Sequence, residues 1–181
     1  KSSERLIYNG RGGYEYCTED GNYLFTITQW YPRLCVYSDL QGWQNHQFAG
    51  SGEFALTFGN FNVQMTVPAD HVVGATGECQ NYAQTLDASH FARWQKAQST
   101  KEPLQIFTLD EAKKAEIQKS TATKTWIFKA NMVRDFAWTS SRKFIWDAMP
   151  AYVEGKKIMC MSFYGKEAYG LYSKYSTKIV A

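Results

Sequence analysis

The sequence predicts a mainly β fold, a sandwich of mostly antiparallel strands with a small helical insert and a C-terminal helix. Three observations predict it. Aromatic residues make up 16% of the 181 residues, and such side chains suit a pleated, half-buried surface. Several segments alternate apolar and polar residues with period two, as a strand with one buried face must. One segment in the middle and one at the end switch to helical spacing. A chain of this length removes roughly 70% of its unfolded surface from water, enough for a sizeable core.

Residues 1–13 end in Gly12-Gly13 and read as a lead-in. Asn22–Tyr31 reads as the first strand, with Tyr23, Phe25, Ile27, Gln29 and Tyr31 on one face. Pro32 ends it. Residues 33–50 read as a loop with a short strand, Leu34–Tyr37, and a turn at Gly42-Trp43. Glu53–Phe58 and Phe61–Val67 are strands around Gly59-Asn60, a pair that suits a two-residue hairpin because Gly accepts positive φ. Pro68-Ala69-Asp70 breaks the second strand. His71–Ala75 begins another, which Gly77 ends.

The middle changes character. Asp87 or Ser89 can cap a helix from about His90 to Gln98. Leu104–Phe107 is a short strand. Thr108-Leu109-Asp110-Glu111 is a capping box that opens a helix to about Lys119. This helical insert, about 87–119, is polar and is expected on the surface. Strand signals return at Lys124–Ala130, Val133–Thr139, Lys143–Asp147 and Lys156–Tyr164. Lys166–Ala181 reads helical, with Ala168, Tyr172, Tyr175 and Ile179 on one stripe and Leu171 beside it. That apolar face needs a partner.

Composition narrows the function classes. A net charge of +3 with no basic stripe argues against nucleic acid as a partner. No apolar run approaches the ~20 residues of a membrane span. The sequence assigns no compartment: exported or periplasmic if a leader has been removed, otherwise cytoplasmic. Cys17, Cys35, Cys79 and Cys160 form no C-x-x-C, which argues against a structural zinc site. They allow one or two disulfides, and free thiols packed as small hydrophobes are the simpler reading.

Chemistry is sparse. A helical zinc site needs two His four positions apart, and His46, His71 and His90 do not provide them. No G-x-S-x-G exposes a serine nucleophile. Glu53, Asp135 and Asp147 sit at strand ends or edges, where a carboxylate pair could form, but nothing marks one. Gly50-Ser51-Gly52 lacks the Lys and helix of a phosphate loop and reads as a turn. Trp126 and Trp138 lie in strand patterns and are expected in the core. Trp43, in a loop with Gln41, Gln44 and Asn45, is the best surface aromatic. No catalytic residue and no metal ligand is assigned in this chain.

Several segments, in order and spacing, carry a resemblance. They are Thr28-Gln29-Trp30-Tyr31-Pro32, the run Thr66–Gly77 beginning Thr-Val-Pro-Ala-Asp-His, Lys124–Ala130, and Val133-Arg134-Asp135-Phe136-Ala137-Trp138. Over roughly residues 14–181 they resemble the amino-terminal β-saddle domain of the aminopeptidase N family of zinc metallopeptidases, its bacterial branch in particular. The motifs that bear that family's chemistry, H-E-x-x-H and G-x-M-E-N, are absent from the chain.

The resemblance implies a β-saddle over residues 1–165, lacking its first strands, and a connector or first catalytic-domain helix over 166–181. It implies a non-catalytic part of an enzyme that removes amino-terminal residues from peptides. Zinc would be held by the parent enzyme's catalytic domain, the expected partner together with peptide substrates. It further implies that Gln29, or alternatively Tyr31, helps bind the substrate's free amino terminus. The alternative function is a free-standing β-sandwich module that binds glycan or peptide through Trp43 and its neighbours.

Overall fold

The computed structural model describes residues 12–47, 50–52 and 54–181. Within them the chain is mainly β, with 42% strand against 23% helix and every strand pairing antiparallel. The strands are β1 (Gly12–Cys17), β2 (Asn22–Ile27), β3 (Tyr37–Ser38), β4 (Gly42–Trp43), β5 (Gly59–Pro68), β6 (Val72–Ala75), β7 (Glu78–Cys79), β8 (Leu104–Phe107), β9 (Thr123–Val133), β10 (Trp138–Ser141), β11 (Ile145–Val153) and β12 (Lys156–Tyr164). The helices are α1 (Tyr82–Thr85), α2 (Ala88–Ala97), α3 (Leu109–Gln118) and α4 (Tyr169–Val180), the last preceded by a 3-10 turn, Lys166–Ala168. No helix among the described residues is long and apolar enough to cross a membrane.

Three sheets, ordered β1-β2-β10-β6, β5-β9-β7 and β12-β11-β8, share one core, and β3 and β4 form a separate hairpin. The chain changes sheet by short links. Arg134–Ala137 carries β9 into β10, and Arg142–Phe144 carries β10 into β11. At the centre lie Met65, Val67, Val73, Trp126, Phe128, Phe136 and Trp146, all buried. The alternation in β5 holds: Met65 and Val67 are buried and Phe61 and Val63 half-buried, while Asn62, Gln64 and Thr66 are exposed.

Two glycines set how closely layers approach. A Cβ on Gly74 in β6 would lie 2.6 Å from the Phe163 ring of β12. Gly77 has φ +85°, and a Cβ there would meet the Lys129 carbonyl oxygen at 2.2 Å, so only glycine makes this turn without strain.

Several sequence expectations are corrected. Gly59-Asn60 is not a hairpin turn; both residues open β5, whose partner is β9 rather than the preceding segment. That segment makes one isolated bridge, Cys35 with Leu56, and Glu53 lies outside the described residues. Gly42-Trp43 is a strand, β4, and the turn precedes it. The first strand stops at Ile27, so Gln29 and Tyr31 lie beyond it on a bent segment. Val133–Thr139 is not one strand, because Asp135–Ala137 is the link between sheets.

The predicted strand Lys143–Asp147 begins at Ile145 and runs on to Val153. Pro150 is tolerated because β8 pairs β11 only as far as Ala148, leaving that edge open.

The helical insert is not a surface decoration. Ala97 of α2 and Ile106 of β8 are buried in the central cluster, with Phe91, Trp94 and Phe107 packed against it. Its capping signals hold. Asp87 accepts from the His90 N–H at 2.9 Å, and Glu111 accepts from the Thr108 N–H at 2.8 Å in a reciprocal box.

Candidate functional site

The segment that leaves β2 walls an open cleft of about 440 Å³, lined by Gln29, Tyr31, Arg33, Gln44 and Phe54 among others. The wall is held from the β9–β10 link. The Trp30 indole N–H donates to the Phe136 carbonyl at 2.9 Å. The Tyr31 hydroxyl lies 3.4 Å from Asp135 Oδ1, and Arg33 Nη1 pairs with Asp135 Oδ2 at 2.9 Å. Asp135 also accepts from the Phe136 N–H at 2.7 Å. The Tyr31 ring stands edge-on to Phe61, centroids 5.7 Å apart. Burial, and then the Asp135 charge, raise the Tyr31 pKa.

The two residues singled out for the substrate amino terminus therefore differ. Tyr31 is tied to Asp135. Gln29 is half-buried in the same cleft, and its carboxamide forms no hydrogen bond among the described residues. It remains a donor and acceptor for a ligand. Asp135, set aside as an unpaired acid by sequence reasoning, is the residue that organises this wall. Its signal was its place in Val133-Arg134-Asp135-Phe136-Ala137.

Other candidate groups are engaged elsewhere. His71 is buried with Nδ1 2.9 Å from Ser140 Oγ; burial, then the Arg142 charge, lower its pKa to about 4. His90 stacks on Phe107 with centroids 3.8 Å apart and meets Asp87 at 2.7 Å. His46 is exposed. Asp147 is buried in β11 and accepts from the Tyr164 hydroxyl, a different partner from those of Asp135. All four cysteines are free thiols. Burial raises the pKa of Cys160. Trp126 and Trp146 are fully buried, Trp138 is half-buried, and Trp43 is 54% exposed.

Among the described residues one group of acids has ligand spacing, Asp20, Glu116 and Glu167, but it is closed around two ammoniums. Lys143 Nζ, 1% exposed as a side chain, pairs with Asp20, with Glu167 at 2.9 Å and with Glu116 at 3.4 Å. Lys166 pairs with Asp20 at 3.2 Å and also with Glu116. Burial opposes the Lys143 charge, and the bonds to Asp20 and Glu167 outweigh it, so its pKa is raised. A zinc ion does not fit this arrangement, because lysine ammoniums already occupy the acids' oxygens. Sequence reasoning missed this cage; a lysine between two strands carries no mark of burial.

The last helix leaves uncovered the apolar stripe that the sequence marks. Tyr169 at its start packs against the cluster of Ala112, Ile145 and Tyr164, and the rest of its buried side is polar: Thr177 is 2% exposed, and Ser176 Oγ lies 2.9 Å from Ser162 Oγ of β12. Leu171, Tyr172, Tyr175, Ile179 and Val180 are exposed instead. No family model, curated protein or solved structure matches the chain.

Proposed function

We propose that this chain is the non-catalytic β-domain of a zinc aminopeptidase, walling the active cleft of the parent enzyme and helping to bind the amino terminus of peptide substrates. The observation that carries the reading is the meeting of two segments more than a hundred positions apart. Trp30 and Tyr31, from the Thr-Gln-Trp-Tyr-Pro run, bond to Phe136 and Asp135, from the Val-Arg-Asp-Phe-Ala run. Two of the four segments that carry the resemblance thus form one wall, with Gln29 free in its cleft and Tyr31 as the alternative contact. The outward apolar stripe of α4 fits a surface covered by the parent's catalytic domain. That domain would hold the zinc and supply the water-activating chemistry.

The test is the open reading frame that encodes this segment, together with an assay of the purified chain. The expected results are H-E-x-x-H downstream and no hydrolysis of aminoacyl-anilides by the chain alone, with or without added zinc. A reading frame without that motif, or zinc-dependent turnover by the chain itself, overturns the proposal.

A second reading, a glycan- or peptide-binding module, rests on the β3–β4 hairpin. Trp43 and Tyr37 stand edge-on there, centroids 5.2 Å apart and both exposed. A glycan that changes Trp fluorescence in the wild type but not in Trp43→Ala would favour it.

A further inference from the structure

A second, larger cleft lies between the helical insert and the sheets. Its volume is about 810 Å³, within the range of sites that take small molecules. Its charged groups are Asp70 from the turn before β6, Asp87 at the start of α2, His90 of α2, Glu111 and Lys114 of α3, Lys124 of β9 and Arg142 after β10.

The three carboxylates all have structural duties. Asp70 holds Arg142 at 3.0 Å and accepts from the Ser120 N–H at 2.7 Å. Asp87 caps α2 and meets His90. Glu111 takes two guanidinium bonds from Arg93, at 2.7 and 2.9 Å, and closes the α3 box.

Lys124 is different. Its Nζ donates to the Thr85 carbonyl at 3.1 Å and sits 4.9 Å from the Trp126 ring centroid. Among the described residues it has no carboxylate within ion-pair distance. A half-buried ammonium placed on an indole and a carbonyl loses part of its hydration, and no counter-ion in contact restores it. Burial accordingly lowers its pKa to about 8, with Asp70 and Asp87 opposing that shift from a distance. At pH 7.5 roughly a quarter of such an amine is neutral, against about a thousandth of an ordinary lysine. Neutral amine is the nucleophilic form. Lys114, Lys124 and Arg142 balance Asp70, Asp87 and Glu111 in formal charge, so the cleft selects neither anion nor cation and a neutral electrophile fits.

We propose that this cleft binds a small neutral carbonyl compound, an aldehyde or ketone, which Lys124 captures as a Schiff base. The amine lone pair attacks the carbonyl carbon and the carbonyl oxygen takes up a proton, giving a carbinolamine. Loss of water, which carries off the nitrogen's second proton, leaves the C=N bond. The assignment is independent of the reading given under Proposed function, since neither Gln29 nor α4 takes part.

The experiment traps the adduct. The intact chain is treated with limiting propanal and cyanoborohydride at pH 7.5, and labelled lysines are mapped by peptide mass spectrometry. The hydride reduces C=N to a stable secondary amine. Lys124 is expected to carry roughly ten times or more the label of any other lysine, and the label should fall steeply by pH 6. Ala115→Trp narrows the cleft from α3 without altering Lys124, and should cut the label severalfold. Equal labelling of Lys124 and the exposed Lys113, Lys156 and Lys157 in the wild type overturns the proposal, whatever the variant does. So does wild-type labelling of Lys124 in a folded Ala115→Trp protein.

Discussion

Helices α2 and α4 pack on opposite faces of the sheet β12-β11-β8, and they do so with opposite chemistry. On the core side, α2 brings Trp94 against Trp146, ring centroids 5.3 Å apart, with Phe107 and Phe163 around it. On the other side Ser176 of α4 meets Ser162, the Val180 carbonyl accepts from Cys160, and the Tyr172 ring stands edge-on to Tyr164, with Thr177 buried on the same helix. The difference follows from period two in β11 and β12. Trp146 and Ala148 face the core, so Ile145 and Asp147 face away. Met159, Met161 and Phe163 face the core, so Cys160, Ser162 and Tyr164 face away. A half-polar sheet face recruits the half-polar side of a helix, since every buried hydroxyl and carboxyl needs a partner. The apolar stripe of α4 is then left pointing out. Amphipathic pattern alone tells that a helix has two sides, and the sheet beneath decides which one goes down.

The largest test of this contrast removes the aromatic on the core side. Trp146→Ala should cost about 3–5 kcal/mol through lost burial and a residual cavity, read as a lowered denaturant midpoint. A loss below about 1 kcal/mol would mean that α2 and the sheet do not share a packed core.

The next test uses pH, because a buried group away from α4 and one beneath it titrate in opposite senses. His71 is buried against Ser140 of β10, with its pKa depressed from 6.5 to about 4. Its contribution is fully present above pH 6.5 and is lost as pH falls through 4, a change of about 2–3 kcal/mol. Asp147, beneath α4, has its pKa raised by burial despite its bond from Tyr164. Its contribution is present below the ordinary carboxylate range and is lost as pH rises through its folded value. Stability measured by urea unfolding should therefore fall on acidification towards pH 4 in the wild type and much less in His71→Gln. Asp147→Asn should steepen the acid loss by removing the opposing slope. Identical pH profiles for all three proteins would refute the assignment of opposite slopes.

The smallest expected effect lies on the outer stripe of α4. Ile179 is 81% exposed and Leu171 60%. Serine at either position should change the stability of the isolated chain by no more than about 0.5 kcal/mol. A loss above about 1 kcal/mol would mean that this stripe is covered in solution.

Much of the fold was legible from local pattern. β8 and β12 fall on their predicted residues, and β5 and β9 contain theirs, because alternation is a one-dimensional signal. The α3 box and the Asp87 cap were readable for the same reason. β1 was passed over, although Tyr14 and Tyr16 alternate with Glu15 before Asp20-Gly21. The hairpin at Gly59-Asn60 failed because the partner of β5 lies some sixty positions on, and partner choice is not local. The site was legible only in part. Gln29 and Tyr31 line a cleft as a pair, but the strand geometry assigned to them ended at Ile27. The roles of Asp135, Lys124 and Lys143 come from contacts between distant segments, which no spacing rule encodes.

The Lys143 cage has a consequence for biosynthesis. It closes over contacts reaching from Asp20 to Lys166, a separation of 146 positions. A nascent chain still threaded through the ribosome short of Glu167 already carries Lys143 and Asp20 but lacks one of the acids that neutralise it. Until translation passes that point, Asp20 and Glu116 share one ammonium instead of two, the cage is incomplete, and the sheets around it are discouraged from locking.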